Sequence, residues 1–164
     1  MRFSARQLRK GMTWWPPFLG AGIRVKSFSD DFRDAVVELK LGRLNRNAVG
    51  THFGGSLYAM TDPFFMIMLL HNLGGDYLVW DKSGSIEYVA PGRGVVKAHF
   101  QLTEARIAEI RAQAEGGDKV LPEFQIEVRH ADDDSLVALV RKTLYVRLKP
   151  RSRPEQGTTQ GTFK

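Results

Sequence analysis

The chain has 164 residues and no cysteine. That excludes a disulfide framework, a thiolate metal site and a cysteine nucleophile. No stretch reaches the roughly 18 apolar residues that a membrane-spanning helix requires, so stable membrane insertion is not expected. The Gly-x-Ser-x-Gly turn that presents a nucleophilic serine in α/β-hydrolases is missing. There is no internal repeat. The histidines, His52, His71, His99 and His130, are scattered without the close spacing of a metal site, so neither a metal nor a cofactor is expected. The basic amino terminus lacks the apolar core of a signal peptide, because Trp14-Trp15-Pro16-Pro17 interrupts it. The expectation is a soluble cytoplasmic protein.

Charge of one sign is plentiful but unevenly placed. The net charge of +6 suggests an anionic partner. Residues 1–10 carry +4 and residues 149–164 carry +3, leaving the body at −1. A balanced body without basic stripes or a recognisable module argues against nucleic acid. The length suits one domain with its own core. The expected organisation is an N-terminal helix or lid over 1–20, a body over 21–148, and a disordered basic tail over 149–164, rich in Pro, Gly and Thr.

Residues 4–12 read as a short helix capped by Ser4, with Gly11 near its end. Strands are expected at 22–28 and 34–41, around the turn Ser29-Asp30-Asp31. A long apolar segment, Phe53 to Leu73, comes next. Period-two alternation follows at 85–90, 95–102, 124–129 and 136–148, with a helix at 104–115 ended by Gly116-Gly117. Two strands, a helix, then four strands is an α+β order. The alternation calls for an antiparallel sheet with one covered face, and the apolar helix is its natural cover.

Within that helix apolar side chains point in every direction, so it must be buried all round. Between Phe53 and Leu70 Asp62 is the one ionisable side chain, and an unpaired buried carboxylate is costly. Two readings stand. Asp62-Pro63 can be an N-cap followed by proline at the first helical position. Otherwise the helix starts at Gly54-Gly55, kinks at Pro63, and projects Asp62 into a pocket two turns in. Two glycines at a helix start leave bare N–H groups for a developing negative charge. A carboxylate two turns later can serve as base or nucleophile.

The segment Asn47-Ala48-Val49-Gly50-Thr51-His52-Phe53-Gly54-Gly55, followed by Asp62, resembles the signature of hotdog-fold acyl-CoA thioesterases of the phenylacetyl-CoA thioesterase type. Asn47, Gly50, Gly54-Gly55 and Asp62 match in register. Ile86, Tyr88, Pro91 and Gly94 resemble that family's strand and turn after the helix. The chain departs from the pattern in several places, among them the helix at 104–115, which looks like an insertion in a plain strand connection. Phe53 stands where relatives carry histidine, with His52 one place earlier; Asp81 stands where many carry Ser or Thr; and Pro63 follows the acid directly.

The resemblance implies a hotdog fold, an antiparallel sheet wrapped around one long central helix. It implies subunits paired edge to edge as a homodimer or homotetramer (a dimer of dimers), with the site at the dimer interface. The reaction implied is hydrolysis of an acyl-CoA thioester to free acid and CoA. Gly55 would supply the N–H that polarises the carbonyl, Asn47 would position substrate or water, and Asp62 would be general base or nucleophile, facing Gly55 of the other subunit. Gly54, His52, Asp81, Lys82, Phe65 and Arg93 are the expected substrate-binding positions. Arg93 belongs to a set of cations, with Arg43, Arg46, Lys142 and Arg147, that could meet CoA phosphates. Phe65, with Met60, Phe64 and Met68, could line an acyl tunnel. The alternative is a non-catalytic acyl-CoA or fatty-acyl binding protein. A 3-hydroxyacyl dehydratase fits less well, because Met66 stands where its helix glutamate would lie.

Overall fold

The computed structural model describes residues 3–150; most of the expected basic tail lies outside them. The elements are α1 (Ala5–Trp14), α2 (Pro16–Ala21), β1 (Ile23–Phe28), β2 (Asp34–Lys40), α3 (Gly54–Ala59), α4 (Phe64–Leu73), β3 (Tyr77–Tyr88), β4 (Val95–Gln101), α5 (Glu104–Ala114), β5 (Glu123–His130) and β6 (Leu136–Leu148). The six strands form one antiparallel sheet in the order β1-β2-β4-β5-β6-β3. Inward positions on the strands, among them Val37, Leu39, Val96, Ala98, Val128, Val140 and Val146, are fully buried. They pack on α4, whose Phe64, Met68 and Leu69 are equally closed off. This is the hotdog architecture, a sheet around a central helix.

The central helix runs from Gly54 to Leu73 in two segments, interrupted at residues 60–63. Proline explains the interruption. Pro63 has no N–H, and its ring would collide with the carbonyl of residue 59 in an unbroken helix. The chain tightens instead, so that Thr61 and Asp62 N–H bond to the Tyr58 and Ala59 carbonyls three residues back. The Asp62 side chain does not cap α4. Of the two sequence readings, the helix starting at Gly54 and kinked at Pro63 is the one the chain adopts.

Around this centre, α1 starts from a capping box between Ser4 and Gln7 and continues through Gly11 to Trp14. Ala5, Met12 and Phe18 bury the α1–α2 arm against the body. The helix inserted between β4 and β5, α5, buries Ile107, Ile110 and Ala114. At the start of the tail, Lys149 is tied back to Asp76 and Gly75 by its N–H and its ammonium. No helix of the described residues is long and apolar enough to cross a membrane.

Strand β3 begins eight residues earlier than the alternation at 85–90 indicates, because it is an edge strand and so needs no regular buried face. Lys82 is the extra residue of a bulge between Asp81 and Ser83. The aromatic centre of the core joins Phe64 to Phe100 at 4.7 Å and to Phe18 and Phe28 at 6.2 Å each. Phe64→Ala should therefore cost about 3–5 kcal/mol of unfolding free energy, read from urea denaturation.

Candidate functional site

The loop leading into α3 is built around Asn47. Its carboxamide oxygen accepts from the N–H groups of Val49 (3.1 Å) and Thr51 (3.0 Å). Its amide nitrogen donates to Thr51 Oγ1 (2.9 Å) and to the His52 carbonyl (3.3 Å). Gly50 takes the left-handed turn, with φ of 78°, that closes the loop. Asn47 thus acts within its own loop, and the loop positions the start of α3. His52 N–H bonds to the Gly92 carbonyl and Phe53 N–H to that of Asn45, joining the loop to the turn after β3.

At the start of α3 the N–H groups of Ser56 and Leu57 both reach the Phe53 carbonyl. Those of Gly54 and Gly55 have no backbone partner among the described residues, as befits a first helical turn. Both glycines line a cleft of about 650 Å³ together with Asn47, His52, Tyr88 and Arg93. A Cβ on Gly54 would sit 2.7 Å from the Tyr88 hydroxyl, and one on Gly55 would sit 2.4 Å from the Phe53 ring. A larger residue at either place would have to push the Tyr88 or Phe53 ring aside. His52 is buried in the wall, and neither ring nitrogen has a hydrogen-bond partner among the described residues. Burial holds its imidazole below the ordinary value of 6.5; the backbone at Gly94 partly opposes this and nearby His130 adds to it.

The carboxylates lie elsewhere. Lys142, at an inward position of β6, places its ammonium 3.0 Å from Asp62 Oδ1 and 3.0 Å from Asp81 Oδ1. It also donates to the Asp62 carbonyl, which the helix break leaves free of any backbone N–H. The Asp62 contact is a hydrogen bond; the Asp81 oxygen stands at ion-pair distance outside hydrogen-bond geometry. Exposure grades the three side chains: Asp62 is 54% exposed, Asp81 26% and Lys142 1%. Burial pushes the Asp81 carboxyl up, Lys142 pulls it back, and the charge of Asp62 raises it further. Neither carboxylate nor Lys142 lines the Gly55 cleft.

Of the residues expected from sequence, the cleft brings together Asn47, His52, Gly54, Gly55 and Arg93. Asp62 and Asp81 meet through Lys142. Lys82 points out from the bulge, exposed. Phe65 is packed in the core, stacked on Phe124 at 4.2 Å and edge-on to Phe100 at 5.5 Å, and Met60, Phe64 and Met68 are likewise closed off. Lys142, considered from sequence as a surface cation for phosphates, is instead almost fully buried. Its place was legible: alternation along β6 puts residue 142 on one face with Val140 and Leu144. Tyr88, which crowds Gly54, was read only as part of the strand. Among the described residues no three His, Cys, Asp or Glu side chains are grouped to hold a metal ion.

A family model described as a domain of unknown function, DUF4442, matches residues 4–146. No protein of curated function matches the chain. Solved structures share its fold. A Pseudomonas aeruginosa protein of unknown function, described as a "Probable Thioesterase", superposes with a TM-score of 0.76 at 16% identity, over 90% of this chain and 98% of its own. A Haemophilus influenzae thioesterase superposes at 0.64 with 16% identity, over 90% and 93%. Zebra fish thioesterase superfamily member 2 superposes at 0.62 with 17% identity, over 87% and 98%. At such identities the likeness is one of fold.

The depressed His52 value makes a stability prediction with a definite sign. The unfolded chain takes up this proton near pH 6.5 and the folded chain only at lower pH, so stability falls as pH falls below about 6.5. Asp81 acts in the opposite sense, nearer the carboxylate range. The loss of unfolding free energy between pH 7.5 and 5.5 should therefore be smaller in His52→Gln than in the wild type, measured by urea denaturation at each pH.

Proposed function

The chain belongs to the DUF4442 family, and from its hotdog architecture and the chemistry of its site we propose that it hydrolyses an acyl thioester, with an acyl-CoA as substrate. One observation carries the reading. A half-exposed carboxylate, Asp62, is held at the break of an otherwise apolar central helix by a buried ammonium. A core that needed only packing would hold an apolar side chain in place of Lys142.

Asp62 takes a proton from water, and the oxygen attacks the thioester carbonyl carbon. The carbonyl oxygen gains negative charge and is received by the free N–H of Gly55, with that of Gly54 beside it. The C–S bond breaks as the carbonyl reforms, and protonated Asp62 returns the proton to the leaving thiolate. Direct attack by the Asp62 carboxylate, with water then cleaving the acyl-enzyme, uses the same groups. Asn47 keeps the Gly54-Gly55 approach in shape. Arg93 serves the polar part of the substrate, and buried His52 backs the wall of the cleft. Val49, Phe53, Leu57 and Val89 give the cleft an apolar wall for the acyl group. Because the closed core occupies the expected tunnel, the acyl chain would lie in this cleft.

Within one chain the Gly55 cleft and the Asp62 carboxylate do not share a pocket. A second copy would bring them together, with Asp62 of one subunit facing Gly55 of the other. The outer edge of β3 is unpaired and offers 12 residues for pairing, so a homodimer or a homotetramer built from it is the proposed assembly, in the cytoplasm.

Asp62→Asn should lower kcat for thiol release by about 10²–10⁴-fold, while bound acyl-CoA still registers in calorimetry. Gly55→Ala keeps the N–H but displaces the Phe53 ring beside it, and should lower kcat by up to about 10²-fold through misplacement of the donor. That same closeness of Phe53 favours a second reading, a protein that binds acyl-CoA without cleaving it. A wild type that binds acyl-CoAs from acetyl to long-chain and aromatic, yet releases no thiol from any, would establish that second reading and remove hydrolysis.

A further inference from the structure

Lys142 is 2% exposed, and the residues flanking it on its face of β6, Val140 and Leu144, are fully buried. Gly84 of β3 stands opposite it in register. Burying an ammonium in such surroundings is unfavourable unless several acceptors meet it. Here three oxygens surround it: Asp62 Oδ1 and the Asp62 carbonyl accept hydrogen bonds, and Asp81 Oδ1 stands at ion-pair distance. They come from two elements distant in sequence, the helix break and β3, and converge on a third.

The stoichiometry matters as much as the distances. One ammonium faces two carboxylates, so the cluster carries one net negative charge. A lone lysine would hold Asp62 in place and also weaken it as a base. A lone pair of carboxylates would strengthen one of them as a base but would repel each other and lose their orientation. The three together keep Asp62 oriented and still able to accept a proton. The Tyr58 ring of α3 lies under Lys142 Nζ at cation–π distance, 6.0 Å to its centroid, as a neutral neighbour of the cluster. Lys82 of β3 is exposed, while Arg141 of β6 and Glu123 of β5 are exposed along the groove that Lys142 lines; Arg141 pairs with Glu87 at 3.7 Å.

Resting on the hydrolytic reading, we propose that Lys142 and Asp81 are positioning residues for Asp62. Lys142 clamps the carboxylate and carbonyl of Asp62 at the helix break, and Asp81 shares the cation so that Asp62 keeps its basicity. Asp81 would do electrostatically what a neutral hydroxyl at that place could not. It acts through Lys142 and need not touch the substrate.

The test is a pair of variants expected to err in opposite directions. In Lys142→Met two carboxylates lose their shared cation, and the acid limb of kcat/KM should move up by about one pH unit or more. In Asp81→Asn the whole cation falls to Asp62, and the limb should move down. Both should lower kcat by about tenfold or more while KM changes less than about threefold, and Lys142→Arg should recover part of the loss. The same directions should appear in the carbon-13 titration of the Asp62 carboxyl, which needs no turnover. A wild type that releases no thiol while its Asp62 titration still moves both ways would remove the hydrolytic reading and leave the coupling intact. Shifts in the same direction, or none, would overturn the coupling. Asp81→Asn keeps the size and shape of the side chain and decides the matter alone, by a downward shift or none, should Lys142→Met fail to fold.

Discussion

A buried ammonium has to be neutralised where it lies, and Lys142 imposes that demand on three parts of the fold at once. It fixes β6 to the helix break through Asp62 and to β3 through Asp81. Removing one member of such a cluster leaves an uncompensated charge, which is far more costly than exchanging the whole cluster for apolar side chains. A protein selected only for stability would have little reason to retain it. The bulge at Lys82 lies one residue beyond Asp81. Bulges next to sites commonly re-aim a side chain, and this one locally shifts the register of β3 on β6.

The second constraint is the central helix. With apolar side chains over most of its surface it reaches solvent at few positions, among them Asp62 and His71, so one sheet has to curve around the rest. An uninterrupted helix would also have claimed the Asp62 carbonyl for its own ladder. Pro63 removes that claim, and the released carbonyl joins the Asp62 carboxylate as a hydrogen-bond acceptor for Lys142. The break and the buried lysine are therefore complementary. The proline opens a polar position inside an apolar element, and the lysine satisfies it. The unpaired N–H groups at Gly54 and Gly55 are the other polar opening in the same helix, facing a cleft instead of a charged side chain.

Much of this was legible in the sequence because it rests on periodicity. The alternation of β1, β2, β4, β5 and β6, the helix between β4 and β5, and the all-round apolar character of residues 53–73 each reflect burial, and burial leaves a pattern. Strand β3 was half hidden. Its first eight residues mix Tyr77, Trp80, Asp81, Lys82 and Ser83, and at an edge nothing requires them to alternate. The motif from Asn47 to Asp62 located the cleft and the carboxylate, but it could not tell which side chains were already engaged. Asn47 is committed to its own loop, and Phe65 to the core. Lys142 was counted among the surface cations because its charge was weighed apart from its face of the strand. A lysine at an inward position is a stronger signal than a lysine in a total.

The two polar openings lie at different places on one chain, and β3 touches both. Tyr88 at its end closes over Gly54, while Asp81 near its middle faces Lys142. The same strand presents its outer edge unpaired, with Leu78, Trp80 and Tyr88 exposed. A long unpaired edge with apolar side chains is a hazard that proteins cover, bend or charge. The bulge bends it only locally, and Trp80 is already stacked on Tyr145 at 4.0 Å. Pairing with the same edge of a second copy would cover the strand. It would also bring a second set of both openings alongside the first, which the proposed chemistry requires. On this reading the edge that makes a single copy incomplete as a sheet is the edge that makes it incomplete as a site, and one association would resolve both.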